Sequence, residues 1–178
     1  MNISTPIKPA TRNETIGTTG ASKFTMRGLP LLSDGASFDA LANSENLWLS
    51  VKVYSSGGEN ALHAHTIEDH AFVVMQGRAT FHFEDGTTQE ARQYEGVMLP
   101  KGIFYRFEAD ESENLVMLRV GAAQRTTTGL GPLKNTAAPP ELKGKTIDHD
   151  GSEKDGRNPK TGTPSRPIIE IPGRFFPE

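Results

Sequence analysis

Residues 57–77 read GGENALHAHTIEDHAFVVMQG and hold three of the five histidines of the chain. His63 and His65 are two residues apart, a spacing that places both side chains on the same face of a β-strand. Two imidazoles on one face of a strand can bind the same metal ion. His70 follows after four residues, which is enough for a turn and a return on the next strand. The segment therefore predicts a metal site built on two neighbouring strands.

The sequence around this segment predicts further β-strands. Apolar and polar residues alternate from Leu47 to Tyr54, and Gly, Asn and Asp interrupt the apolar runs at intervals typical of strands joined by turns. Glu84-Asp85-Gly86 predicts a tight hairpin turn, because Asp-Gly tolerates a positive φ. Many short strands and no long helical pattern predict an all-β sandwich or barrel. The other predicted strands are Ala71–Met75, Ala79–Phe83, Val97–Pro100, Ile103–Phe107 and Leu115–Val120.

Composition divides the 178 residues into a body and two arms. Residues 24–121 contain 43 apolar side chains and carry seven basic against fourteen acidic residues, whereas residues 126–178 hold eight of the twelve prolines. We therefore predict an N-terminal arm over residues 1–23, a folded body over 24–121 and an extended C-terminal arm over 122–178. The apolar segment Ile168–Ile171 is expected to add as an edge strand, or to dock on the body or on a partner subunit.

Composition also excludes several classes of function. The chain has no cysteine, so disulfides, thiolate zinc sites and cysteine nucleophiles are excluded, and a metal must be held by His, carboxylate or Tyr side chains. A formal net charge of −3 and the lack of a basic, aromatic segment argue against nucleic-acid binding. No apolar window is long enough for a membrane span or a signal peptide. We expect a cytoplasmic protein with a small molecule as its partner.

The histidine segment resembles the first motif of the cupin superfamily. That motif runs Gly, five residues, His-x-His, three or four residues, Glu, six residues, Gly. Gly57, His63, His65 and Gly77 match it with the four-residue spacing. His70 stands at the position of the glutamate, so the resemblance places an imidazole where the family has a carboxylate.

The second cupin motif is matched in part. It runs Gly, five residues, Pro, one residue, Gly, two residues, His, three residues, Asn. Pro100 and Gly102 are in place, whereas Tyr94 replaces the first Gly, Tyr105 the His and Ala109 the Asn. The resemblance therefore places a phenol at the position of the fourth metal ligand.

The resemblance implies a double-stranded β-helix, or jelly-roll barrel, with a divalent metal near one mouth. His63, His65 and His70 inherit the metal-ligand roles, and Tyr105 becomes the candidate catalytic residue that hydrogen-bonds the substrate. Iron is the expected metal, with manganese, nickel or zinc as alternatives. The implied activity is that of a metal-dependent dioxygenase-type oxidoreductase acting on a small oxygenated or aromatic metabolite, with an isomerase as the alternative. Small cupins usually pair through edge strands, so a homodimer is expected.

Two alternatives stay open for the site itself. Counting three residues after His65 places Asp69, instead of His70, at the acidic ligand position and restores a two-His-one-carboxylate site. Glu68 and Asp69 are otherwise loop charges, or acceptors that orient a ligating imidazole. The incomplete second motif also fits a non-catalytic barrel that binds a small molecule and has a degenerate or empty metal site. The sequence therefore leaves open whether the protein is an enzyme.

Strand parity predicts which apolar side chains lie next to the site. Phe72 and Val74 share the parity of His70, and Phe107 shares that of Tyr105. We expect these three side chains to form an apolar pocket wall.

Overall fold

The computed structural model describes residues 21–44, 47–55, 61–123, 146–148 and 168–177. Within these ranges the regular structure consists of twelve strands and no helix. The strands are β1 (Leu29–Asp34), β2 (Ala36–Asn43), β3 (Leu47–Tyr54), β4 (His63–His65), β5 (Glu68–Gln76), β6 (Arg78–Phe83), β7 (Thr88–Arg92), β8 (Gly96–Leu99), β9 (Tyr105–Ala109), β10 (Leu115–Ala123), β11 (Thr146–Asp148) and β12 (Ile169–Phe176).

Ten of these strands form two five-stranded antiparallel sheets. Sheet A has the order β2-β3-β10-β5-β8, and sheet B has the order β11-β4-β9-β6-β7. The sheets face each other across a core in which Phe72 and Val74 of sheet A meet Phe107 of sheet B, each at most 2% exposed. The predicted all-β fold of two facing sheets is confirmed, and the three side chains expected at the site belong to its packed interior.

Strands β1 and β12 form a separate antiparallel pair that covers the outer face of sheet A. Leu29 of β1 and Phe176 of β12 pack there with Val51 and Val116. Because both faces of sheet A are covered, β10 is apolar nearly throughout instead of alternating. Of the alternatives expected for the segment Ile168–Ile171, the structure shows docking on the body: Ile169 and Glu170 pair with β1, and the pair does not join the edge of either five-stranded sheet.

The hairpin after β6 forms as its sequence predicts. The Phe83 amide donates to the Thr87 carbonyl oxygen at 3.0 Å, and Gly86 adopts a φ of +82°. Sequence periodicity does not predict four of the strands, β1, β2, β11 and β7. The last of these is a polar edge strand, which lacks the apolar alternation that marks half-buried strands.

The C-terminal arm reaches the strand that carries two of the predicted ligands. The backbone of β11 pairs with β4 in the register Thr146 to His65 and Asp148 to His63.

Gly57 and most of both predicted arms lie outside the described residues, and the predicted domain boundaries stay a prediction. In the part of the chain that the structure covers, nothing forms a helix of the length and apolar character needed to cross a membrane.

Candidate metal centre

Three strands bring the polar side chains of this site together at one end of the barrel. Strand β4 of sheet B carries His63 and His65, and after a two-residue connection β5 of sheet A begins with Glu68 and His70. Strand β10 lies beside β5 and places Arg119 opposite Phe72 in the antiparallel register. The short connection between β4 and β5 therefore joins the two sheets at the site.

His65, Glu68 and His70 form the central cluster. Their possible ligand atoms all lie within 4.8 Å of one another. Glu68 Oε1 is 3.0 Å from His70 Nε2 and 3.8 Å from His65 Nδ1, and the two imidazole ring centres are 4.0 Å apart. The cluster thus combines two imidazoles with one carboxylate.

The guanidinium of Arg119 contacts both imidazoles through one nitrogen. Its Nη2 atom lies 3.0 Å from His65 Nε2 and 3.0 Å from His70 Nδ1. Because Nη2 carries two N–H bonds, it can donate one to each ring, with His65 Nε2 and His70 Nδ1 accepting through their lone pairs. His70 then donates its Nε2–H to Glu68, so the ring is a neutral bridge between the cation and the carboxylate.

Trp48 supports the cluster from β3. Its Nε1–H donates to Glu68 Oε2 at 2.7 Å, and its ring lies 4.9 Å from the guanidinium carbon of Arg119. Gly121 provides the space for this ring, because a Cβ atom at that position would lie 2.1 Å from the Trp48 ring atoms. Trp48 is the only tryptophan of the chain.

The charge states of Glu68 and His70 suit ligand roles. Burial raises the pKa of Glu68, but hydrogen bonds from His70 and Trp48 outweigh this effect, so the pKa lies below its ordinary value and the group is ionised at neutral pH. Burial lowers the pKa of His70, and its hydrogen bond to Glu68 only partly opposes that shift. At neutral pH the ring therefore stays neutral, the state in which imidazole binds metals.

His63 and Tyr105 lie beside this cluster and are both 2% exposed. Their ring centres are 4.5 Å apart, and the His63 ring centre is 5.2 Å from that of His65. His63 Nδ1 donates to the Ala61 carbonyl oxygen at 2.7 Å, which assigns the lone pair to Nε2. Burial raises the pKa of Tyr105 to about 12, so its phenol stays protonated and can donate a hydrogen bond. Their roles as ligand and catalytic residue stay predictions.

Asp69, the alternative acidic ligand, points away from the cluster. It occupies the position between Glu68 and His70 on β5, so its side chain faces the other side of the sheet. Asp69 Oδ1 accepts a hydrogen bond from the Lys101 amide at 2.8 Å. The structure therefore brings His70, and not Asp69, to His65.

The sequence does not predict that Glu68, Arg119 and Trp48 belong to one site with the histidines. The sequence suggests Glu68 only as a loop charge or as an acceptor that orients a ligating imidazole, although Glu68 shares the strand parity of His70. Arg119 is the single charged residue within β10, and a charge in an otherwise apolar strand was the available signal. Trp48 gave no signal beyond its place in an alternating strand.

The donor set fits a divalent metal. Two neutral imidazoles and one ionised carboxylate are ligands that Fe, Mn, Ni and Zn accept. The lone pairs of His65 Nε2 and His70 Nδ1 both face Arg119 Nη2, which is itself a cation. A metal bound through these two nitrogens therefore requires the guanidinium to withdraw from them.

Comparison with known proteins gives likeness in fold alone. No family model matches the chain, and no curated protein matches it. The solved cupin domain of Schizosaccharomyces pombe Cnp3 is 18% identical with a TM-score of 0.47, covering 50% of this chain and 65% of that one. KdgF from Halomonas sp. is 18% identical with a TM-score of 0.47, covering 51% of this chain and 81% of that one. A cupin superfamily protein from Desulfitobacterium hafniense is 18% identical with a TM-score of 0.44, covering 50% and 78%.

Two of these three solved structures, from Schizosaccharomyces pombe and Desulfitobacterium hafniense, are described as cupins. The chain spans about two thirds of the fission-yeast domain, 65% of its length. At such identities the chemistry of this chain does not follow from theirs.

Proposed function

We propose that the protein binds a divalent metal through His65, Glu68 and His70, and that it is a metal-dependent oxidoreductase acting on a small oxygenated metabolite. The observation that carries this proposal is the mutual distance of at most 4.8 Å among the three ligand atoms. Two imidazoles and a carboxylate are the ligand set of many non-haem iron enzymes, so Fe(II) is the proposed metal. Bound there, it would supply redox and Lewis-acid chemistry with coordination positions left open for small molecules.

The protein's own residues would prepare the site in three ways. Trp48 and His70 hold the Glu68 carboxylate with hydrogen bonds of 2.7 and 3.0 Å, which fixes its orientation and keeps it ionised. The buried Tyr105 phenol stays protonated and can donate a hydrogen bond to a bound substrate. Phe72 and its neighbours in the barrel core exclude water from the inner side of the site.

The alternative ligand set is His63, His65 and His70, with Glu68 as an acceptor that orients His70. The His63 tautomer, with its lone pair on Nε2, is compatible with that set. The two sets share His65 and His70 and differ in one ligand, so variants at Glu68 and His63 separate them.

Elemental analysis tests the proposal. The protein, purified without chelators and then reloaded with Fe(II), Mn(II), Ni(II) or Zn(II), is expected to hold about one ion per chain. His65→Ala and His70→Ala should lose it, whereas His82→Ala should retain it, since His82 lies beside Glu108 at 3.2 Å on another part of the barrel. Oxygen uptake with small enols and 2-oxo acids then tests the activity. A wild-type protein that binds no metal under any of these conditions overturns the proposal.

A second candidate function is favoured by one observation. Arg119 already places a cation on the two imidazole lone pairs, so the barrel can be a non-catalytic module that binds a small molecule without a metal. For that function we expect no ion after reloading, and ligand binding without turnover. We also propose a cytoplasmic location and a homodimer. A molecular mass from light scattering that equals one chain would contradict the homodimer.

A further inference from the structure

Arg119 is a partly buried cation that has no acidic partner at contact distance. Within the described part of the chain, it donates hydrogen bonds only to the two imidazoles, and both leave from Nη2. Among the described residues, no carboxylate oxygen lies within 4.0 Å of the guanidinium, and the Glu68 charge acts on it from farther away. A guanidinium in the interior is normally paired with a carboxylate or a phosphate. None of the residues described here supplies such an anion at contact distance.

The face of the guanidinium is fixed by two aromatic rings. Its central carbon lies 4.9 Å from the Trp48 ring centre and 5.5 Å from that of Phe72. Stacking of this kind orients the planar group and leaves its edges for hydrogen bonds. The Nε atom on one edge is buried and has no hydrogen-bond partner in the described ranges of the chain.

A second polar group without a partner lies next to Arg119. Ser50 stands directly opposite Arg119 in the pairing of β3 with β10, and its buried hydroxyl makes no hydrogen bond to any residue that the structure describes. Tyr54, farther along the same face of β3, also has a buried hydroxyl without a partner. Buried polar groups are nearly always satisfied in folded proteins, so unsatisfied donors beside an unpaired cation mark a place for an acceptor-rich ligand.

We infer that Arg119, with Ser50 beside it, binds the carboxylate group of a small substrate. The inference rests on the proposed function in calling this ligand the substrate, and it narrows the substrate class to small carboxylic acids. When His65 and His70 bind a metal, their lone pairs no longer accept from Nη2. The guanidinium then has the donors for a two-pronged interaction with a carboxylate, which is the geometry that arginine provides and lysine does not.

The experiment uses pyruvate and the neutral, nearly isosteric pyruvamide as probes. Binding is measured by titration calorimetry and by Trp48 fluorescence, which reports directly on the guanidinium stacked against that ring. The full-length protein is titrated both metal-free and reloaded with Zn(II), which has no redox chemistry. We expect pyruvate to bind at least about tenfold more tightly than pyruvamide. Arg119→Gln should abolish this preference, and Arg119→Lys should restore only part of it.

Arg106→Gln is the matched control, since Arg106 pairs with Glu108 on the neighbouring sheet and should leave the preference unchanged. Circular dichroism and the melting temperature establish that each variant is folded. Equal affinity for the two probes, no binding of either, or a preference that survives in Arg119→Gln overturns the inference. Metal content is measured on the same samples, so loss of the metal site appears as missing ions, whereas failure of the inference appears as missing discrimination between the probes.

Discussion

Arg119 donates a hydrogen bond to His70, with Nη2 of the guanidinium 3.0 Å from Nδ1 of the imidazole. The other nitrogen of the same ring lies 3.0 Å from Oε1 of Glu68. One neutral imidazole thus links a cation on β10 to an anion at the start of β5. A metal that binds His70 through Nδ1 needs the same lone pair, so Arg119 and such a metal compete for His70.

Removing the guanidinium should therefore strengthen metal binding. At an effective dielectric constant of about 20, repulsion between charges of +1 and +2 about 5 Å apart exceeds the ~1.4 kcal/mol that corresponds to tenfold affinity. We expect Arg119→Met to bind Zn(II) at least about tenfold more tightly than wild type, measured by competition with a chromogenic chelator. Arg106→Gln provides the control. Unchanged or weaker affinity in Arg119→Met would show that the guanidinium does not compete with the metal.

Variants at Glu68 and His63 decide which side chain is the third ligand. If Glu68 binds the metal, Glu68→Gln loses an anionic ligand and should weaken Zn(II) binding by about a hundredfold or more, whereas His63→Ala should change it little. Glu68→Gln keeps an oxygen that can accept from Trp48, so the tryptophan contact is retained. The measurement is the dissociation constant of each variant from the same chelator competition. The reverse order of the two effects would support the three-imidazole set instead.

The sequence predicts only those residues of the candidate site that lie close together in the chain. His63, His65 and His70 lie within one short segment: strand parity places His63 and His65 on one face, and the four residues that follow allow a turn that returns His70 to them. The partners of these residues depend on long-range pairing: Arg119 reaches the site only because β10 lies beside β5 in a register that sets Arg119 opposite Phe72. Local periodicity predicts that β10 is a strand but contains no information about its neighbours.

The layer formed by β1 and β12 was predictable only in part. The apolar segment Ile168–Ile171 within a polar arm indicates that it docks, since such a segment cannot form a core alone. Its partner β1 contains Pro30 and was not predicted as a strand, because proline is rare within strands except at edges. The choice of β1 as the partner follows from the apolar outer face of sheet A, which becomes evident only when the sheet is assembled.

Adding a methyl group at Gly121 should disturb the site without touching a candidate ligand. A Cβ atom there would lie 2.1 Å from the Trp48 ring, so the ring must move away from its position beside Glu68. We expect Gly121→Ala to lower the free energy of unfolding by about 1–3 kcal/mol and to shift the emission of Trp48, the only tryptophan, to longer wavelength. Chemical denaturation and fluorescence measure both effects. Gly86→Ala, at the exposed β6–β7 turn, is a control in which the Trp48 emission should remain that of wild type.

His70 should make stability depend on pH. Burial lowers its pKa in the folded protein, so as the pH falls the unfolded chain takes up the proton first, near the ordinary value of 6.5. The neutral ring therefore makes its full contribution to the free energy of unfolding above pH 6.5. This contribution is lost as the pH falls from 6.5 toward the lower pKa of the folded state. We expect the free energy of unfolding of the metal-free protein to decrease across this window, and His70→Gln to flatten the decrease. If the free energy of unfolding depended on pH equally in wild type and His70→Gln, the pH dependence would not arise from His70.

The two adjacent phenylalanines near the end of β12 provide a matched test of the docked C-terminal strand. Phe176 is 8% exposed and packs with Leu29 in the core between β1 and sheet A, whereas Phe175 is 41% exposed on the other face of the same strand. Truncating Phe176 to Ala leaves a cavity in that core, and we expect it to reduce the free energy of unfolding by about 3 kcal/mol. Phe175→Ala should reduce it by clearly less, since that side chain is 41% exposed and its loss leaves no enclosed cavity. Equal effects of the two substitutions in urea denaturation would mean that β12 does not pack on β1 in solution.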